Sequence, residues 1–310
     1  MSHEVETMAY AGETPWHGLG KKVIDDLTPE QMLVEAGLDW TVEKVPAYIK
    51  FDNDEVYTGS DALVRSTDGS ILSMVSDNWE PVQNSTAFEF FNEFIMEGDM
   101  RMHTAGSLKR GKMVWALAEI NESFELFGGD RVSGFLLFSN PHEYGKSIDV
   151  RFTPIRVVCN NTLTLAVSTK AERMVRVSHR RSFDPEYVKE TLGVAHNKMQ
   201  TYKEMAEFLG SKRYTTDLVK QYFSDLFPST SATEDKASRN ARLAYQALET
   251  QPGANFAEGS WWSAFNAVTF LADHKIGRNN ETRLYSSWYG PNHNKKITAL
   301  EKAIEYAEAA

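Results

Sequence analysis

The chain has 310 residues, a formal charge of −10, 42% apolar and 25% charged residues, and a single cysteine. This composition fits a globular protein of one large or two modest domains, and it excludes an intramolecular disulfide and a multi-cysteine zinc site. No stretch approaches the roughly 20 apolar residues of a membrane span, and no secretory signal is expected from the first residues, so the expectation is a cytoplasmic protein with no membrane partner.

The first clear element begins at Thr28-Pro29-Glu30-Gln31. Thr28 can cap a helix, proline suits its first turn, and Gln31 is placed to reach back to the cap. Gly37 should end it. Strand signals follow in "WTVEKVPAYIKF", "EVYTGSDALVRST" and "SILSMVS", the last two joined by an Asp68-Gly69 turn. "NSTAFEFFNEFIM" has helical spacing, with Asn84 or Ser85 as its cap. The next block reads as four strands. "MRMHTAGSLKRGKMVWALAEI" supplies two, joined at Lys109-Arg110-Gly111, and "RVSGFLLFSNP" and "SIDVRFTPIRVVC" supply the others. "NNTLTLAVSTK" shifts toward helical spacing, and beyond Ser182 the pattern is helical throughout. Asp184-Pro185-Glu186 starts the run Tyr187 to Gly210, and "TTDLVKQYFSDLF", "SATEDKASRNARLAYQALE", "GSWWSAFNAVTFLADHK" and "NKKITALEKAIEYAE" follow. The fold class is therefore α+β, with an antiparallel, hairpin-rich N-terminal part and a mainly helical C-terminal part. The expected domains are 1–182, β-rich and containing a basic segment at 151–181, and 183–310, helical.

Charge is unevenly distributed. Residues 1–100 have a net charge of −15, whereas residues 151–181, "RFTPIRVVCNNTLTLAVSTKAERMVRVSHRR", hold seven Arg or Lys and one acid. Six of the seven are arginines, whose planar fork pairs bidentately with phosphate. Arg151, Arg156, Arg173, Arg176, Arg180 and Arg181 are thus candidate phosphate contacts; alternatively they neutralise the acidic N-terminal third. Lys109, Arg110 and Lys112 form a second cationic spot on a hairpin tip, with Trp115 and Phe152 as candidate stacking surfaces for bases, or as ordinary core residues. Cys159, between Val158 and Asn160, reads as a structural cysteine unless a base lies beside it. The eight histidines show no ligand spacing, so neither a metal nor another cofactor is expected, and no spacing forces a catalytic set. The aromatic helix around Trp261, Trp262, Phe265 and Phe270 should be buried.

Six stretches, "ETPWHGLGKKV", "AGLDWTVEKVP", "WEPVQN", "AGSLKRGKMVWALAEI", "TPIRVVCNNTL" and "WWSAFNAVTFLADHK", occur in an order that resembles the phage/plasmid-like protein family, domain of unknown function 932. The resemblance runs from Gly12 to about Leu300. It implies a mobile-element context and brings no established activity with it. Combined with the basic segment, it makes nucleic acid the expected partner, with single-stranded DNA binding or annealing in replication or recombination as the role. The alternative is a non-enzymatic interaction protein that modulates a host system. A homo-oligomer is compatible with either.

Overall fold

A computed structural model describes residues 5–12, 19–92, 95, 98, 100–156, 161–162, 174–180, 184, 195–229, 237–277 and 280–309. The fold is α+β, with strands dominating the N-terminal part and helices the C-terminal part. The chain divides into two compact units, each discontinuous in sequence. Unit 1 comprises residues 1–121, 135–152 and 170–193, and unit 2 comprises 122–134, 153–169 and 194–310.

Unit 1 contains two sheets. The strands of the first are β1 (Val5–Tyr10), β2 (Lys21–Lys22), β6 (Met100–Leu108), β7 (Met113–Leu126), β8 (Asp130–Pro141), β9 (Ile148–Arg156) and β11 (Met174–Val177). Residues 122–126, 130–134 and 153–156 of these strands belong to unit 2. Neighbours run β9-β8-β7-β6-β1-β2, and β11 pairs antiparallel with β9. The second sheet is the meander β3 (Val42–Phe51), β4 (Asp54–Arg65) and β5 (Ile71–Val75). Helix α1 (Pro29–Glu35) forms as its sequence dictates: Thr28 Oγ1 accepts from Gln31 N, and Gln31 Oε1 accepts from Thr28 N. It ends at Ala36, just before Gly37.

Helix α2 (Asn84–Glu89) departs from expectation, because its cap residue is Gln83 and neither Asn84 nor Ser85. Asn84 is buried instead and spends its amide elsewhere, with Nδ2 donating to the carbonyls of Leu38 and Trp40. A buried amide must satisfy its own hydrogen bonds before it can serve a helix end.

Unit 2 is built from the short strand β10 (Asn161–Thr162) and the helices α3 (Ala195–Ser211), α4 (Thr216–Leu226), α5 (Arg239–Thr250), α6 (Trp261–His274), α7 (Asn280–Tyr289) and α8 (Pro291–Glu308). Thr215, Ser238 and Ser260 cap α4, α5 and α6 by accepting from a backbone N–H three residues on. The aromatic helix α6 is the buried centre, as its apolar circumference requires. Trp261 and Trp262 are fully enclosed, and Trp261 meets the rings of Tyr222 at 5.5 Å and Tyr306 at 5.2 Å. Each buried indole contributes on the order of 4 kcal/mol of transfer free energy. Helix α7 was not expected from the sequence: "NETRLYSSWY" mixes polar and aromatic residues without a clear stripe.

Candidate nucleic-acid interface

The cationic hairpin tip forms between the last paired residues of β6 and β7, Leu108 and Met113. Lys109, Arg110 and Gly111 all have left-handed backbones, with φ of +54°, +59° and +80°. For the two non-glycine residues this conformation costs about 1–2 kcal/mol each, so the surrounding structure must hold the turn. Gly111 shows how. A Cβ there would lie 3.0 Å from Arg65 Nη1 and 3.4 Å from Trp40 Cζ2. The turn therefore sits against Trp40 and Arg65, and a side chain at Gly111 would have to displace these neighbours while holding a left-handed backbone.

That support is itself fixed. Arg65 lies 5.5 Å from the Trp40 ring centre and is clamped by Glu6 at 2.8 Å and Asp68 at 2.5 Å. Hydrogen bonds from Arg65 and Ser70 hold the Asp68 carboxyl well below its usual range.

The backbone of His142 ties the tip to the connection between β8 and β9, its N–H donating to the Lys112 carbonyl at 2.8 Å. Val177, the last residue of β11, pairs with Ile148, the first of β9, so residues 178–180 emerge at the same end of the sheet. A buried polar cluster anchors them. His179 stacks on Trp79 at 4.2 Å, its carbonyl accepts from Glu80 N, and its Nδ1 donates to the Glu80 carbonyl at 3.2 Å. His142 Nε2 donates to Asn84 Oδ1 at 2.9 Å. The tautomers follow, since Asn84 Nδ2 is already committed as a donor and the Glu80 carbonyl can only accept. Each imidazole therefore carries one bonded proton. The other nitrogen, Nδ1 of His142 and Nε2 of His179, is buried with no hydrogen-bond partner. Burial pushes His142 down to about 3 and His179 down to about 4, so both are neutral at neutral pH.

The candidate residues divide accordingly. Arg110 and Arg180 are exposed, and Lys109 and Lys112 are half-buried, all at this end of unit 1. Lys146, which the sequence reading passed over inside "NPHEYGK", is exposed in the β8–β9 connection beside them. Arg176 is more than half exposed and 4.0 Å from Asp149. Acids share the region: Glu80 pairs with Lys44 and Asp68 with Arg65, while Glu143 is half-buried.

Arg151 is absorbed by the fold. Its Nε and Nη2 each donate to Asp149 at 2.7 Å, and both side chains are buried. The acid that pairs with it lies two residues away on the same strand, not in the acidic first hundred residues. Trp115 and Phe152 are likewise core residues, 0% and 5% exposed, so neither offers a ring face to a base. Gly106 leaves room for the indole, because a Cβ there would sit 3.1 Å from Trp115 Cζ2. Arg156 lies in β9 within unit 2, and its side chain is outside the described residues, as are Arg173, Arg181 and Cys159. Among the described residues no group of three or more His, Cys, Asp or Glu could hold a metal ion, and no helix is long and apolar enough to cross a membrane.

Residues 71–288 match the family model described as "Domain of unknown function (DUF932)". The match covers more than half of the chain, which therefore belongs to this family. No curated protein and no solved structure matches it.

Proposed function

We propose that the protein binds nucleic acid, with single-stranded DNA binding or annealing in a mobile element as its role. Phosphates would lie along the end of unit 1 that carries Lys109, Arg110, Lys112, Lys146, Arg176 and Arg180. The observation that carries this reading is the mounting of Arg110: an exposed guanidinium on a left-handed turn, held against Trp40 and Arg65. A cation held ready in water meets phosphate with little ordering cost, whereas a cation already paired, such as Arg151, has no such capacity.

Gel-shift titrations with single- and double-stranded DNA at two salt concentrations test it. Binding should weaken steeply with salt, and Arg110→Ala with Arg180→Ala should flatten the salt slope by about two phosphate equivalents. Salt-independent binding, or none, would overturn the reading. The second reading, an interaction protein without chemistry of its own, is favoured by one specific observation, an uncovered apolar sheet face in unit 1.

A further inference from the structure

The β3–β4–β5 sheet breaks the usual rule that an antiparallel sheet is apolar toward the core and polar toward water. The register fixes its two faces. Val42 pairs with Arg65, Lys44 with Leu63 and Asp61 with Val75, and on this face Val42, Leu63 and Val75 are buried. On the other face Val45 pairs with Ala62, Ile49 with Val56, Phe51 with Asp54, Ala62 with Met74 and Val64 with Ile71. That second face is also apolar, yet apart from the small, buried Ala62 it is open. Val45, Ile49, Phe51, Val56, Ile71 and Met74 are 41%, 55%, 68%, 45%, 62% and 42% exposed. Its only ionisable residues are Glu43 and Asp54, near the two ends of the hairpin. Beyond Pro46 and Ser60 the hairpin has no third strand, because β5 pairs only with residues 61–64 of β4. A two-stranded ribbon alone is marginal in water.

We infer that this face is the contact surface of a homodimer, in which the same face of a second copy of the chain packs against it. The shape of the patch identifies the occupant. The complement of a twisted antiparallel sheet face is another such face about 10 Å away, and a two-fold axis supplies it from the same sequence. The area suffices. A ribbon of ten-residue strands is roughly 34 Å long and, with β5, about 14 Å wide, a flat face of about 480 Å² per copy. Two copies then bury on the order of 1,000 Å² in total, the size at which a specific interface begins. Nucleic acid is a poor occupant because the patch carries no cation. Glu43 and Asp54 sit at the rim, where they stay hydrated and salt-screened.

Sedimentation velocity on the full chain from about 1 to 100 µM tests the inference. The wild type should sediment as a dimer. Ile49→Asp with Phe51→Asp should raise the dissociation constant at least about 100-fold while leaving the circular dichroism spectrum unchanged, since both side chains are already in water. Lys50→Glu, on the opposite face of the same hairpin, should leave the dimer intact. A wild type that is monomeric throughout would overturn the inference and leave the face to a different protein. A double variant that remains dimeric would also overturn it, by placing the contact elsewhere.

Discussion

Each compact unit buries an ion pair, Lys296–Asp273 in unit 2 and Arg151–Asp149 in unit 1, but unit 1 also buries two neutral imidazoles. At the centre of unit 2, Lys296 and Asp273 form an ion pair 2.7 Å long, with side chains 0% and 1% exposed. In the same unit, the indole of Trp262 donates to Asp130 Oδ2 at 2.9 Å, again with both residues enclosed. In unit 1 the buried polar cluster is neutral: His142 bonds Asn84, His179 bonds the Glu80 carbonyl and stacks on Trp79, and one nitrogen of each imidazole has no hydrogen-bond partner. A buried charge is tolerable only as a complete pair, whereas a neutral imidazole can be left half satisfied at a smaller cost. Both units should therefore be sensitive to the loss of one ion-pair partner, and unit 1 also to the arrival of a proton.

The largest effect should come from splitting the ion pair. Lys296→Met leaves Asp273 buried without its cation and should cost about 3–5 kcal/mol in urea denaturation. Adding Asp273→Leu should recover much of that loss. A single variant as stable as the wild type would show that the pair does not behave as a buried charge.

Acid should act on unit 1. Both histidines have folded values below the unfolded value, so the unfolded chain binds protons first and stability rises with pH. Their contribution is complete above about pH 6.5 and is lost as pH falls toward the folded values of about 4 and about 3. Between pH 7 and pH 5 the loss should be about 2 kcal/mol per histidine. Hydrogen exchange at the two pH values should show the opening in residues 79–84 and 140–142 before it appears in α6. His142→Gln should remove about half of the pH dependence.

A smaller effect is expected from Trp262→Phe, which keeps most of the ring packing and deletes one hydrogen bond to a buried carboxylate. The expected cost is about 1–3 kcal/mol, measured by thermal or urea unfolding. At the bottom of the range, Arg110→Ala should change stability by less than about 0.5 kcal/mol, because its side chain is exposed. Arg151→Ala, which leaves the buried Asp149 with only the exposed Arg176 at 4.0 Å, should cost several times more, about 2–3 kcal/mol. Equal losses for the two arginines would erase the distinction between a cation that serves the surface and one that serves the fold.

Much of the fold was legible because local chemistry decided it. The Thr28 capping box, the Asp68-Gly69 turn and the all-round apolarity of α6 need no long-range information. The Arg151–Asp149 pair was also within reach, since residues two apart on a strand share a face; the count of charges across the whole segment obscured it. The polar cluster was not legible. Trp79, Asn84, His142 and His179 are spread over a hundred residues of sequence, and nothing local marks a histidine as buried.

The sequence by itself determined most of the strands and helices, though not β1, β2 or α7, that the chain mixes the two in an α+β order, and that its cations are concentrated locally in an acidic protein. Periodicity, capping and charge are properties of neighbouring residues. Only the tertiary structure decided which of those cations remain in water, which side of "KVPAYIKF" faces the core, and which imidazoles stay neutral. Each of those outcomes depends on what packs against a residue from a distant part of the chain, and so on burial, which a local pattern does not encode.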